Sequence, residues 1–210
     1  MNFIQDSISF FRAGGIFMYP LAICSILVIA AILYRVCNMR RSLIDPAGLA
    51  RAVEKYTRRE LAQTELEKLA GASPSVLGRL VLDVLHAPGG NESSEASLKE
   101  RVQVKAREEF VNLQAGLPLL DMIVMVAPMF GILGTASGLV AIFSVFGADE
   151  GQGQIAQGIA QALNTTIAGL AIAAPAVIAH VYYTRKLERI SAGMEVLISE
   201  LIASRCHSDR

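Results

Sequence analysis

Between Met122 and Ala148 the chain carries no charged residue, and between Gly151 and Thr184 it again carries none. Only Asp149 and Glu150 separate the two runs. A helix rises about 1.5 Å per residue, so roughly 20 apolar residues cross the hydrocarbon of a bilayer. Each run is long enough to span with turns to spare, and the pair predicts a transmembrane helical hairpin.

A third uncharged run, Ile16–Tyr34, predicts a third span. A secretory signal peptide is the rival, but it places positive charge before its apolar core and a small-residue cleavage site after it. Here Arg35, Arg40 and Arg41 follow the core, which favours an uncleaved anchor. Basic residues mark the cytoplasmic side. They follow the first run, precede the second (Arg101, Lys105, Arg107) and follow the third (Arg185, Lys186, Arg189), whereas the short connector is acidic. The expected order is an outside segment (1–15), a span (16–34), a cytoplasmic helical insert (35–116), a span (117–147), an outside loop (148–154), a span (155–184) and a cytoplasmic helical tail (185–210). The expected fold class is an all-α membrane protein: three transmembrane helices with long cytoplasmic helical extensions.

Within the hairpin, Pro128, Gly131, Thr135, Gly138 and Ile142 recur at three- and four-residue steps and share one helix face. Met129, Leu133, Val140 and Phe143 form a bulkier one. In the following run, Ala162, Thr166, Gly169, Ala173 and Ala176 lie beside Leu163, Ile167, Leu170 and Val177. Lipid does not drive apolar helices together, so small residues that let backbones approach are the usual packing surface. The small faces are expected against protein or a pore, the bulky ones against lipid.

The insert shows helical apolar spacing over Leu49–Leu69 and Val76–Leu85, with turn signals at Ser73-Pro74 and Pro88-Gly89-Gly90. Ser97 followed by Glu100 has the form of a capping box, opening a helix expected to run on into the second span with a kink at Pro118. In the tail, Leu187, Ile190, Met194, Leu197 and Leu201 form a coiled-coil-like seam, suited to packing within the chain or between chains.

Hydrophobic residues make up 53% of the chain and charged residues 18%, with zero net charge, so no general attraction to nucleic acid is implied. The three cysteines are odd in number and without paired spacing, giving no disulfide framework or metal site. No phosphate-cradling loop, metal-ligand cluster or nucleophile motif is present, so no enzyme activity and no cofactor are expected. His180, near the inner end of the third span, reads as an interfacial structural residue ahead of a proton relay. Thr135, Thr165, Thr166, Asn164 and Gln161 form hydrogen bonds but do not titrate near neutral pH. Asp121 lies roughly 21 Å along a helix from Thr135. It is either a solvated carboxylate at the cytoplasmic mouth or a proton exit.

The segments Ala127-Pro128, Gly131-Ile132-Leu133-Gly134-Thr135, Gly138, Gly158-Ile159-Ala160-Gln161-Ala162-Leu163, Thr166, Gly169 and Pro175 resemble the two pore-helix signatures of the ExbB/TolQ/MotA proton-channel family. The likeness extends to Gly14-Gly15, Met18-Tyr19-Pro20-Leu21 and Arg35, covering roughly the membrane half of the chain. The resemblance implies a homopentameric ring in the bacterial inner membrane. It also implies a smaller ExbD- or TolR-like partner whose single span carries the titratable aspartate. The complex would energise outer-membrane transport through a TonB- or TolA-like envelope-spanning protein. Thr135 and Thr166 match the family's pore threonines, and Thr165 and Gln161 are expected beside them along the proton path. Gln161 stands where some ExbB and TolQ members have glutamate, so a helix–helix hydrogen bond is its other reading. Pro128, Gly131, Gly134, Gly138, Ala162, Gly169 and Pro175 are the expected packing residues. Three spans favour the ExbB/TolQ branch over the four-span MotA-type flagellar stator. A non-conducting membrane scaffold is the alternative from another class, and a solute transporter is disfavoured because no inverted repeat is visible.

Overall fold

The computed structural model describes residues 14–42, 46–87, 92–145 and 152–208. Among these residues it contains seven helices and no strand: α1 (Met18–Ser42), α2 (Pro46–Thr57), α3 (Gln63–Ala72), α4 (Val76–Leu85), α5 (Glu92–Leu113), α6 (Leu117–Val145) and α7 (Gln152–Ser208). Most of the expected outside segment, and residues 148–151 of the expected outside loop, lie outside the described residues. Among the described residues, three stretches are long and apolar enough to cross a membrane: Met18–Cys37, Leu117–Phe143 and, within α7, Gly158–Arg205. The chain is an integral membrane protein of all-α class.

The helices form two units. One comprises the chain up to Tyr34 together with Gly116–Tyr183. Each of its three helices buries a single stripe: Met18, Leu21, Cys24, Val28 and Ala31 on α1; Leu120, Ile123 and Ala127 on α6; Ala162, Thr165, Ala173 and Ala176 on α7. The steps of three and four residues follow from the helical repeat. The opposite faces carry large exposed apolar residues, among them Ile23 and Ile26, Met129 and Phe143, and Leu163 and Ile167. Such an arrangement is stable only where the surroundings are themselves apolar.

The ends fix the directions of the helices. Tyr34, late on α1, has its ring about a van der Waals contact from the open side of Gly116, just before α6, and the Gln161 amide lies against Gly15, just before α1. Hence α1 runs parallel to α7 and antiparallel to α6. Both glycines have positive φ, +89° and +73° respectively, a backbone region that side chains with a Cβ rarely adopt. Pro128 and Pro175 sit inside α6 and α7, whereas Pro118 occupies the first turn of α6, where a proline costs no hydrogen bond. The expected run of α5 into the second span is interrupted by a turn at Gln114–Gly116. No kink at Pro118 is needed.

The second unit comprises Arg35–Ala115 with Thr184–Arg210. Its core joins Leu49 and Val53 of α2, Leu66 and Ala70 of α3, Leu77, Leu80, Val81 and Val84 of α4, Val102 of α5, and Ile198, Leu201 and Ile202 of α7. The tail seam packs within the chain over Met194, Leu197 and Leu201, with Ile198 and Ile202 beside it in the same core. Arg205 donates to the carbonyls of Val84 and Ala87 at the C-terminal end of α4, where a cation meets unpaired carbonyls. Arg35 is buried and donates to the carbonyl of Leu113, the last residue of α5, in the same way.

Two expectations for the insert are corrected. The spacing over Leu49–Leu69 is not one helix, because α2 closes after Thr57. Glu60 N–H bonds to Lys55 O at 2.8 Å and Arg59 N–H to Tyr56 O at 2.9 Å, the pair of bonds of a Schellman stop. Arg59 takes the left-handed position, φ 62°, that glycine usually fills. Ser97 is not a cap, since α5 has already begun at Glu92. A side-chain cap is seen instead on the preceding helix, where Ser75 at the start of α4 accepts from Gly78 N–H at 3.1 Å. Across the surface, Arg79 pairs with Glu109 at 2.6 Å and Lys105 with Asp83 at 2.7 Å, joining α4 to α5.

Candidate functional site: the threonine level of the α6–α7 hairpin

Antiparallel α6 and α7 meet along glycines and alanines. A Cβ added at Gly138 would lie 2.8 Å from Ala162 Cβ, and one at Gly169 would lie 2.7 Å from the Ala127 carbonyl oxygen. At Gly131 it would lie 3.1 Å from Thr166 Cα, and at Gly134 it would lie 2.6 Å from Thr165 Cβ. The two backbones are thus as close as missing side chains allow, which is how helices associate without a hydrophobic driving force.

That closeness brings hydroxyls to the seam. Thr166 Oγ1 donates across it to Gly131 O at 3.0 Å. Thr165 Oγ1 donates to Ala162 O at 2.7 Å, with Gly131 O a further 3.4 Å neighbour. Thr135, one turn along α6 from Gly131, donates to Ile132 O at 2.7 Å. Thr135 and Thr166 are half-buried at the seam's edge, so the level presents hydroxyl oxygens beside an apolar surface.

Placement differs among the expected residues. Gly131, Gly134, Ala162 and Gly169 are buried in the seam, and Gly138 and Pro128 are half-buried along it. Pro175 stands exposed, because its position on the helical repeat turns it away from the Ala173 and Ala176 face. Thr165 is only 1% exposed and lies inside the seam, a position one residue, and about 100°, from the open edge where Thr166 stands. Gln161 is exposed on α7, its amide turned to Gly15 rather than to the threonines.

One pairing escaped the sequence reading. Asp121 at the start of α6 and His180 on α7 lie 3.9 Å apart, with side chains 59% and 27% exposed. The signal was available in principle: continuing the Gly138–Ala162 register for about five turns sets these two residues opposite each other. Considered separately, neither announced the other.

Chemically, the level keeps hydroxyl oxygens free to accept hydrogen bonds but holds no group that ionises near neutral pH. No charged residue lies on α6 between Met122 and its end, or on α7 before Arg185. Among the described residues no cluster of His, Cys, Asp or Glu is arranged to hold a metal ion.

Comparison with known proteins fits this picture. Over 189 residues the chain is 28% identical to an ExbB homologue of Methanothermobacter thermautotrophicus, covering 90% of this chain and 66% of that protein. It is 30% identical over 168 residues to an ExbB-like biopolymer transport protein of Synechocystis, covering 78% and 65%. It is 28% identical over 170 residues to the biopolymer transport protein exbB1 of Vibrio cholerae, covering 78% and 72%. The chain thus spans just under two thirds of the length of the first two relatives. The sequence model of the MotA/TolQ/ExbB proton channel family matches residues 28–196, across both signature segments and the helices between them. The chain belongs to that family, on its ExbB side.

Proposed function

We propose that this chain is the ring-forming subunit of an inner-membrane proton channel that converts the proton-motive force into work at the cell envelope. The observation that carries the proposal is the threonine level: hydroxyls placed at a tightly packed, uncharged hairpin in a chain with no acid of its own at that depth. A charge at mid-bilayer costs about 2.5–3.5 kcal/mol on insertion scales. A proton path without an internal carboxylate therefore borrows one. The partner is a single-span protein bearing a membrane aspartate, of the ExbD or TolR kind, with a TonB- or TolA-like protein taking up the work. The orientation is N-terminus outside, insert and tail in the cytoplasm, and the assembly is a homopentamer around the partner's helices.

In operation, protons entering from outside neutralise the partner's carboxyl beside the threonines. Neutralisation removes most of the cost of moving it along the apolar wall. The membrane potential contributes about 2.3 kcal/mol per charge per 100 mV. The seam of glycine and alanine holds each hairpin rigid while the partner shifts against it.

The test is the double substitution Thr135→Ala with Thr166→Ala, made in cells that depend on the complex. Envelope work and proton flux should be lost while the protein still assembles with its partner. Full output from the double variant would overturn the assignment. A non-conducting scaffold predicts unchanged output and no co-purifying single-span protein with a membrane carboxyl.

A further inference from the structure

The hydroxyl hydrogens of the threonine level are already committed. A carbonyl oxygen carries no hydrogen, so in each bond to Ile132 O and Gly131 O the threonine must be the donor. A hydroxyl has one hydrogen and two lone pairs. Thr135 and Thr166 therefore face their surroundings with lone pairs only. On α6 and α7 themselves, no other polar side chain restores a donor at this edge. On α7, Asn164 lies roughly 200° around the helix from Thr166. Gln161 lies roughly 140° around, with its amide at Gly15. On α6, Ser137 is roughly 200° from Thr135. Thr165 spends its own hydrogen on Ala162 O. At this level, deep inside both helices, the backbone N–H groups are occupied within the helices.

From this we infer that the threonine edge is a filter for protonation state: it binds a neutral carboxylic acid, which offers an O–H, and rejects the carboxylate, which offers only acceptors. The inference rests on the reading above that this edge faces the conduction path, and it specifies which form of the partner's acid is held there. A carboxyl brought to the edge is stabilised when protonated and meets lone-pair repulsion when ionised, so its affinity for protons rises on arrival. The edge thereby takes part in loading the proton as well as in guiding the loaded group.

The groups of this chain that could impose a competing pH dependence are distant or uncharged. Asp121 and His180 each lie fourteen residues from the nearer threonine, roughly 21 Å along the helix. On α1, between Ile16 and Tyr34, the titratable side chains are Tyr19, Cys24 and Tyr34. The commitment of Thr166 depends on Gly131, because a Cβ there would press on Thr166 Cα at 3.1 Å and on Thr165 O at 3.2 Å.

The experiment reconstitutes the full-length chain in vesicles with a synthetic single-span Leu/Ala helix carrying one central Asp, Asn or Leu, and reads association by energy transfer between pH 5 and pH 8. The Asn helix, a neutral donor at every pH, should associate equally across the range. The Asp helix should match it at pH 5 and weaken about tenfold by pH 8, the worth of one satisfied hydrogen bond against one acceptor left unpaired. Thr135→Val with Thr166→Val should bring Asn and neutral Asp down to the Leu level, whereas the double Ser substitution should restore them. Gly131→Ala should free the Thr166 hydrogen and so narrow the gap between neutral and ionised Asp. Equal association of Asp at both ends of the pH range, or of all three helices at every pH, overturns the filter. So does valine behaving as threonine. Failure of the filter with the double alanine variant still inactive in cells would leave the channel reading standing; the reverse result would remove the channel reading and keep the chemistry of the edge.

Discussion

At the scale of single residues, the hairpin depends on atoms that are absent. The Cβ that Gly169→Ala adds would lie 2.7 Å from a backbone oxygen of Ala127, which cannot rotate away as a side-chain tip can. The substitution should therefore destabilise the hairpin by about 1–3 kcal/mol, the usual cost of overpacking, read as an earlier loss of α6–α7 contact in thermal or denaturant unfolding in detergent. Gly193→Ala on the same helix meets nothing within 4 Å and should stabilise it by about 0.5–1 kcal/mol through backbone entropy alone. Opposite signs on one helix separate packing from propensity. This seam was legible in the sequence because glycine and alanine recur at helical steps in both uncharged runs. Which of Thr165 and Thr166 faces outward was not legible. They differ by about 100°, and only the true centre of the seam decides between them.

At the scale of the element, α2 ends where neither glycine nor proline marks a stop. Glycine is the expected residue at a left-handed stop, and Arg59 occupies it with φ 62°. Placing a side chain with a Cβ there costs roughly 1–2 kcal/mol, so Arg59→Gly should stabilise the second unit by about 1 kcal/mol, measured as slower hydrogen exchange across α2 and α3. Ser97-x-x-Glu100 misled for the converse reason: a four-residue pattern can occur inside a helix whose start is set elsewhere. The tail was easier to read, since Leu187 and Leu201 keep helical spacing and both are buried. Between α4 and α5, the Glu109 hydrogen bond holds the Arg79 guanidinium above its ordinary range, opposed by burial and aided by the Glu109 charge. The stability tied to a raised pKa is complete below the unfolded value and declines only as pH climbs through the folded one. From pH 6 to pH 9 the contribution of Arg79 should be constant. Because the pair is half exposed, Arg79→Gln should cost less than about 1 kcal/mol and less still in high salt, as a pH series of melting curves would register.

At the scale of the whole molecule, three apolar helices and a charged helical bundle divide the chain between two solvents. The distribution of basic residues predicts the sides. A cysteine substituted for Glu150 should react with a membrane-impermeant maleimide in intact cells, and one substituted for Arg185 should react only after the membrane is opened. Inverted labelling would refute the orientation. The core of the second unit also has a temporal consequence. Leu49 and Val53 leave the ribosome early, yet they share that core with Leu201 and Ile202, which emerge only after α6 and the apolar part of α7 have been made. The bundle therefore cannot finish folding during synthesis of its own insert. Its packing closes only when the end of α7 is made, so the part of the chain translated last completes a core begun by the part translated soon after the first span.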